Sequence, residues 1–173
     1  MTTSSAAPAS RGFASTIAHV YRRFQHGSAA LQSPFLLLVR LYWGWQFAQS
    51  GWGRLHHLDT ATQFFSSLGV PAPGPTVVVI SLLELVGGLL LIAGLGTRLT
   101  GLLLAGDMIG AYALSDRDAF RSILSDPGKF YTADPYTFLF ASLLVLIFGA
   151  GHFSLDYWLW RRGRPANSPE APC

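Results

Sequence analysis

The chain has 173 residues, of which 50% are hydrophobic and only 12% charged. A soluble globular domain carries about a quarter charged residues, so a water-solvated surface and bulk disorder are both poor fits. The net charge is +3 and the pI about 9.4, but the twelve Lys and Arg are scattered and form no single basic face, which argues against nucleic-acid binding. Cys173 is the only cysteine, so an internal disulfide, a CxxC redox pair, a CxxCH haem attachment and a cysteine-held iron-sulfur cluster have no ligands here. With a mean hydropathy of +0.36, the expected class is an integral membrane protein.

Residues 1–11 are small and polar and read as a disordered tail. Phe13, Ile17, Val20, Tyr21 and Phe24 then recur at helical spacing among His19, Arg22, Arg23 and His26, the pattern of an amphipathic helix at a membrane surface. A first span is expected over about 34–53, opened by the Ser33-Pro34 cap. At 1.5 Å per residue, twenty residues cover about 30 Å, the thickness of a hydrocarbon core.

A short helix, ATQFFSSL, follows over 61–68 and ends at Gly69 and the proline-rich PAPGP. The second span covers about 75–95 with Glu84 as its only charge, and Gly96-Thr97 turns the chain tightly into a third over 98–115. A long, Asp-rich loop over 116–133 reads as a solvated cover. The fourth span begins at the Asp134-Pro135 cap and runs to about 153, and Ser154 caps a terminal helix LDYWLWRR. A disordered C-terminal tail is expected over 163–173.

The predicted architecture is thus all-α: residues 1–32 form a tail and interfacial helix, and 33–162 form a four-helix transmembrane bundle with short interfacial helices at both ends and between spans one and two. Six basic residues (Arg22, Arg23, Arg98, Arg161, Arg162, Arg164) flank the face holding both termini, against four (Arg54, Arg117, Arg121, Lys129) on the other. That bias places both termini in the cytoplasm.

Arg40, Glu84 and Asp107 fall inside spans, where an ionised group must turn inward and find partners. They form the candidate intramembrane polar cluster. Trp43 and Gln46 share the Arg40 face of span one, and Ser81, Gly87 and Gly88 share the Glu84 face of span two, as candidate supporting or ligand-lining residues. Gly101, Ala105, Gly106 and Gly110 would let span three approach its neighbours closely.

Arg40 is only about 9 Å beyond Pro34 along the axis and can snorkel to the nearer interface, whereas the two acids lie near mid-membrane. An acid at that depth can bind a quinone headgroup or relay protons; equally, the trio can act purely as packing glue. The five histidines are scattered or adjacent and lie at no span centre, so neither a metal site nor b-type haem ligation is expected.

Several segments together resemble the DoxX family of small bacterial membrane proteins, including the DoxD type. They are RLYWGWQFAQSGWGRL, FFSSLGVP, LLELVGGLLLIAGLGTRLTGLLLA and FGAGHFSLDYWL, in that order, spanning roughly residues 35–160. The resemblance implies a four-helix bundle in the bacterial inner membrane. DoxD-type relatives are linked to thiosulfate:quinone oxidoreductase, and other DoxX-like proteins to redox or oxidative-stress complexes. The implied function is an accessory or quinone-interacting subunit of a membrane redox complex, with no covalently bound cofactor, quinone as the small-molecule ligand, and a membrane or peripheral redox protein as partner. A small proton-coupled transporter or channel and a non-catalytic scaffold are the alternatives. The family supplies no agreed catalytic residues to transfer.

Overall fold

The computed structural model describes the backbone of residues 9–162 and the side chains of 30–162. The tails at 1–8 and 163–173, and the side chains of the predicted interfacial segment at 13–26, lie outside the described residues. Eight helices and no strand occur among the described residues: α1 (Ala9–His56), α2 (Leu58–Ser67), α3 (Pro73–Ala93), α4 (Thr97–Leu114), α5 (Arg117–Arg121), α6 (Pro127–Thr132), α7 (Pro135–Phe148) and α8 (Leu155–Arg162). The all-α class expected from the sequence is therefore observed.

The first departure is at Ser33-Pro34, where no helix begins. α1 runs unbroken for 48 residues with Pro34 inside it. A proline in a helix removes one backbone hydrogen bond, but the Ser33 hydroxyl is engaged elsewhere: it lies 2.7 Å from His152 Nδ1 and accepts from the His152 N–H at 3.2 Å. The residues read as a cap are instead a tether between α1 and the turn before α8.

The second departure is at the other end of the fold. α7 starts at Pro135, as the Asp134-Pro135 pair predicts, but stops at Phe148 because Gly149 takes φ +76° and Gly151 φ +70°. Fourteen residues give only about 21 Å of helix. The 116–133 stretch, expected as an open loop, winds into α5 and α6. Phe130 stacks on Tyr112 with ring centroids 4.7 Å apart, and the Tyr112 hydroxyl donates to the Phe130 carbonyl at 2.8 Å, which ties this segment to the end of α4.

Packing is led by α1 against α3 and by α4 against α7, with α3 joining the two pairs and α2 lying on α3. The α1–α3 crossing is close because both helices present small residues. A Cβ at Gly88 would sit 2.6 Å from the Ala48 nitrogen, and one at Gly44 would sit 2.8 Å from the Gly88 carbonyl oxygen. Gly101 similarly brings α4 to Ser142 and Leu146 of α7. Gly106 and Gly110 face open space instead, so they do not serve the close packing expected of them. Val39, Phe47, Leu91, Leu104, Met108, Ala141 and Val145 fill the centre.

α3 is long and apolar enough to cross a membrane, and α7 is a shorter apolar helix. Only 33% of the most apolar stretch of α3 is buried; Val79, Leu82, Val86 and Leu89 point outward. A core helix of a water-soluble domain buries such residues.

Candidate functional site

Two polar centres lie at different heights in the bundle, one at the α3–α4 turn and one midway along α3 and α4. At the first, Arg40 is 1% exposed and its guanidinium is spent on main-chain carbonyls. Nε donates to Leu91 O at 2.9 Å, Nη2 to Ile92 O at 3.2 Å, and Nη1 to Phe153 O at 3.0 Å and to Ala150 O. Leu91 and Ile92 belong to the last turn of α3, where Leu91 O also accepts from the Gly94 N–H at 3.1 Å. Arg40 thus ties the end of α3 to the glycine-rich turn after α7.

Asp156 completes this end of the molecule. Its carboxylate accepts from the Gly96 N–H at 2.7 Å, and from the Thr97 N–H and hydroxyl at 2.9 and 2.8 Å, so it caps α4 from sixty residues away. Partial burial pushes its acidity one way, but those three hydrogen bonds and the Arg40 charge prevail and hold it below the usual carboxylate range. Ser154 caps α8 as the sequence suggests, accepting from the Tyr157 N–H at 3.1 Å.

The second centre gathers the two acids without Arg40. Because α1 continues to His56, Phe47, Ser50 and Arg54 fall on one face at i, i+3 and i+7. Arg54 Nη2 donates to Glu84 Oε1 at 2.9 Å and to the Ser50 hydroxyl at 2.8 Å. Glu84 is 1% exposed. Asp107 of α4 lies against Glu84 and within the field of Arg54. Glu84 Oε2, Asp107 Oδ2 and the Ser81 hydroxyl are buried without hydrogen-bond partners.

Arg54, Glu84 and Asp107 form the floor of a cavity of about 700 Å³. Its walls are Phe64, Phe65 and Leu68 of α2, Ile80 of α3, and Met108, Ala111 and Leu114 of α4, with His57 and Thr60 near its rim. A smaller cavity of about 120 Å³ reaches the same Arg54 and Glu84 from the α7 side, between Phe47, Asp134 and Phe138. An apolar chamber of this size ending on a few convergent polar groups has the makeup of a small-molecule site.

Of the residues singled out by sequence, Glu84 and Asp107 come together and Arg40 stands apart. Trp43 packs at the edge of the core, and Gln46 reaches only toward the Tyr42 hydroxyl at 3.5 Å. Gly87 abuts Leu104 and Gly88 abuts α1. Ser81, like these four, is not among the residues lining the cavity. The cation at this site is Arg54, which in the sequence is one of four basic residues flanking the second face. The signal available was the Phe47-Ser50-Arg54 spacing, which has meaning once α1 is continued past Gly53.

Comparison with known proteins agrees with this architecture's sequence signature. Residues 35–117 match the DoxX family profile. The chain carries a DoxX domain. That DoxX segment contains α1 from Phe35 onward, α2, α3 and α4, hence every wall of the large cavity. A Bacillus subtilis (strain 168) protein named "Putative oxidoreductase CatD" is 29% identical over 131 residues, covering 76% of this chain and 91% of that protein. No solved structure matches this chain.

Proposed function

We propose that this DoxX protein is a four-span protein of the bacterial inner membrane, crossing with α1, α3, α4 and α7 and keeping both termini in the cytoplasm, and that it serves as a quinone-interacting subunit of a membrane redox complex. The reading of four spans is supported by the outward faces of these helices. Leu38 and Trp45 of α1, Leu99 and Leu102 of α4, and Phe140 and Ile147 of α7 are exposed, as are the leucines and valines of α3. In water such a surface would drive association; in lipid it is solvated.

The observation that carries the quinone reading is the acid pair beneath an apolar chamber. A quinone headgroup presents oxygen atoms on a flat apolar ring. The Arg54 guanidinium can donate to such an oxygen, and the Glu84 and Asp107 carboxyls at the same floor can relay a proton. Phe64, Phe65 and Met108 offer apolar contact to the ring. The quinone supplies the electron-accepting chemistry; this chain orients it, excludes water and holds a proton at its floor.

Electrons must come from a partner carrying a flavin, a haem or a thiol centre, because the chain's one cysteine offers no redox pair. Similarity to a protein named as an oxidoreductase supports the same assignment. The test is purification in mild detergent with solvent extraction of bound quinone, followed by complementation of a deletion strain. The reading expects quinone to copurify and Glu84→Gln to impair quinone-linked electron transfer at normal protein levels. Absence of quinone together with full complementation by that variant would overturn it.

A further inference from the structure

The large cavity has a direction as well as a floor. α2 rests on α3 and touches α1, but makes little contact with α4, so the chamber is the gap between α2 and α4. No residue of α2 is fully buried, and Phe64 at the edge of the chamber is 53% exposed. On the opposite edge α4 presents Gly106 and Gly110, where an added Cβ would meet nothing within 4 Å. Gly110 is itself part of the lining. The charged groups lie at the inner end, with Glu84 buried and one of its oxygens unpartnered.

From this we infer that the chamber is loaded sideways from the bilayer through the α2–α4 gap, and that its ligand is an amphiphile whose polar head reaches Arg54, Glu84 and Asp107 while a long apolar tail leaves across Gly110. The inference rests on the quinone reading and narrows it to a membrane-resident, isoprenoid-tailed quinone. A small water-soluble quinone would have no use for an apolar exit between two helices facing lipid. Gly110 is where a tail needs room, since a side chain there would project into the opening without disturbing any packed neighbour.

The test uses the full chain in nanodiscs and two benzoquinones with the same headgroup, one bearing a long isoprenoid tail and one only a methyl group. Binding is followed by quenching of tryptophan fluorescence, and thermal stability is monitored in parallel. Gly110→Phe and, from the other side of the gap, Ala61→Phe are each expected to weaken the tailed quinone by about tenfold or more while leaving the tailless one within about twofold. Unchanged binding of the tailed quinone in both variants, or equal loss of both quinones, would overturn the lateral route while leaving the head site intact. If neither quinone binds the wild-type chain, the head-site reading fails and the route fails with it.

Discussion

Arg54 and Arg40 show how the same side chain serves two different ends. Arg54 is partly open to the cavity, its side chain 31% exposed, and neutralises an acid that is almost wholly buried. Replacing Arg54 with Ala should cost about 1–3 kcal/mol, because it leaves a buried Glu84 oxygen without its donor. Glu84→Gln should cost less, since an amide keeps a hydrogen bond without needing the charge. Denaturation in detergent checks the order. Arg40→Ala should be the most damaging of the three, at roughly 3 kcal/mol or more, because several main-chain carbonyls lose their donors together. Arg40→Lys should recover only part of that, as an ammonium lacks the planar fork.

Asp156 gives a pH-dependent prediction. Its folded-state acidity is stronger than that of an exposed aspartate. The stability it contributes is therefore complete above the ordinary aspartate value of about 4 and is lost as pH falls through the lower folded value. Asp156→Asn should cost about 1 kcal/mol near neutrality, and the gap between variant and wild type should close on acidification below about pH 4. A constant gap down to strongly acidic pH would contradict the capping role. At this scale the sequence was partly legible: burial forces ionisable residues to find partners, which picks out Glu84 and Asp107. It does not say which cation comes, because Arg40 and Arg54 lie fourteen residues apart on one helix and only the tilt and length of α1 choose between them.

At the scale of elements, the small-residue crossing of α1 and α3 sets the site's geometry. Gly44, Ala48 and Gly51 sit against Ser81 and Gly88, and this contact fixes the height at which Arg54 meets Glu84. Gly88→Leu should separate the helices and abolish stable folding, whereas Gly106→Leu, facing open space, should leave the melting temperature within a few degrees. Equal tolerance of both would show that the crossing is looser than described. Glycine runs on the spans were visible in the sequence, but their pairing was not. Gly88 with Gly44 is a relation between helices that periodicity along one helix cannot reveal. The end of α7 at Gly149 was hidden for a related reason: the turn that follows is held from another helix, by Arg40 on the Ala150 and Phe153 carbonyls.

At the scale of the whole molecule, the polar latch closes the α3–α4 turn while the floor of the chamber lies midway along the same two helices. Arg40, Asp156, Thr97 and the α3 terminus form the latch; Arg54, Glu84, Asp107 and α2 border the hollow. The all-helical class could be read from composition and hydropathy alone, because lipid requires every backbone group to be satisfied within its own segment. The chamber could not, since it depends on how far α2 stands from α4, and α2 is short enough to lie in several ways against the bundle.

The central claim, that this chamber is where the chain meets its quinone, is tested most directly by photolabelling purified protein with a quinone carrying a photoreactive group on the ring. Modified peptides are then mapped by mass spectrometry, with unlabelled quinone as competitor. The account predicts competable labels on the 60–68 segment of α2 and the 107–115 segment of α4, and their loss in Glu84→Gln. Competable labelling confined to other segments, or labelling that the variant leaves unchanged, would contradict it.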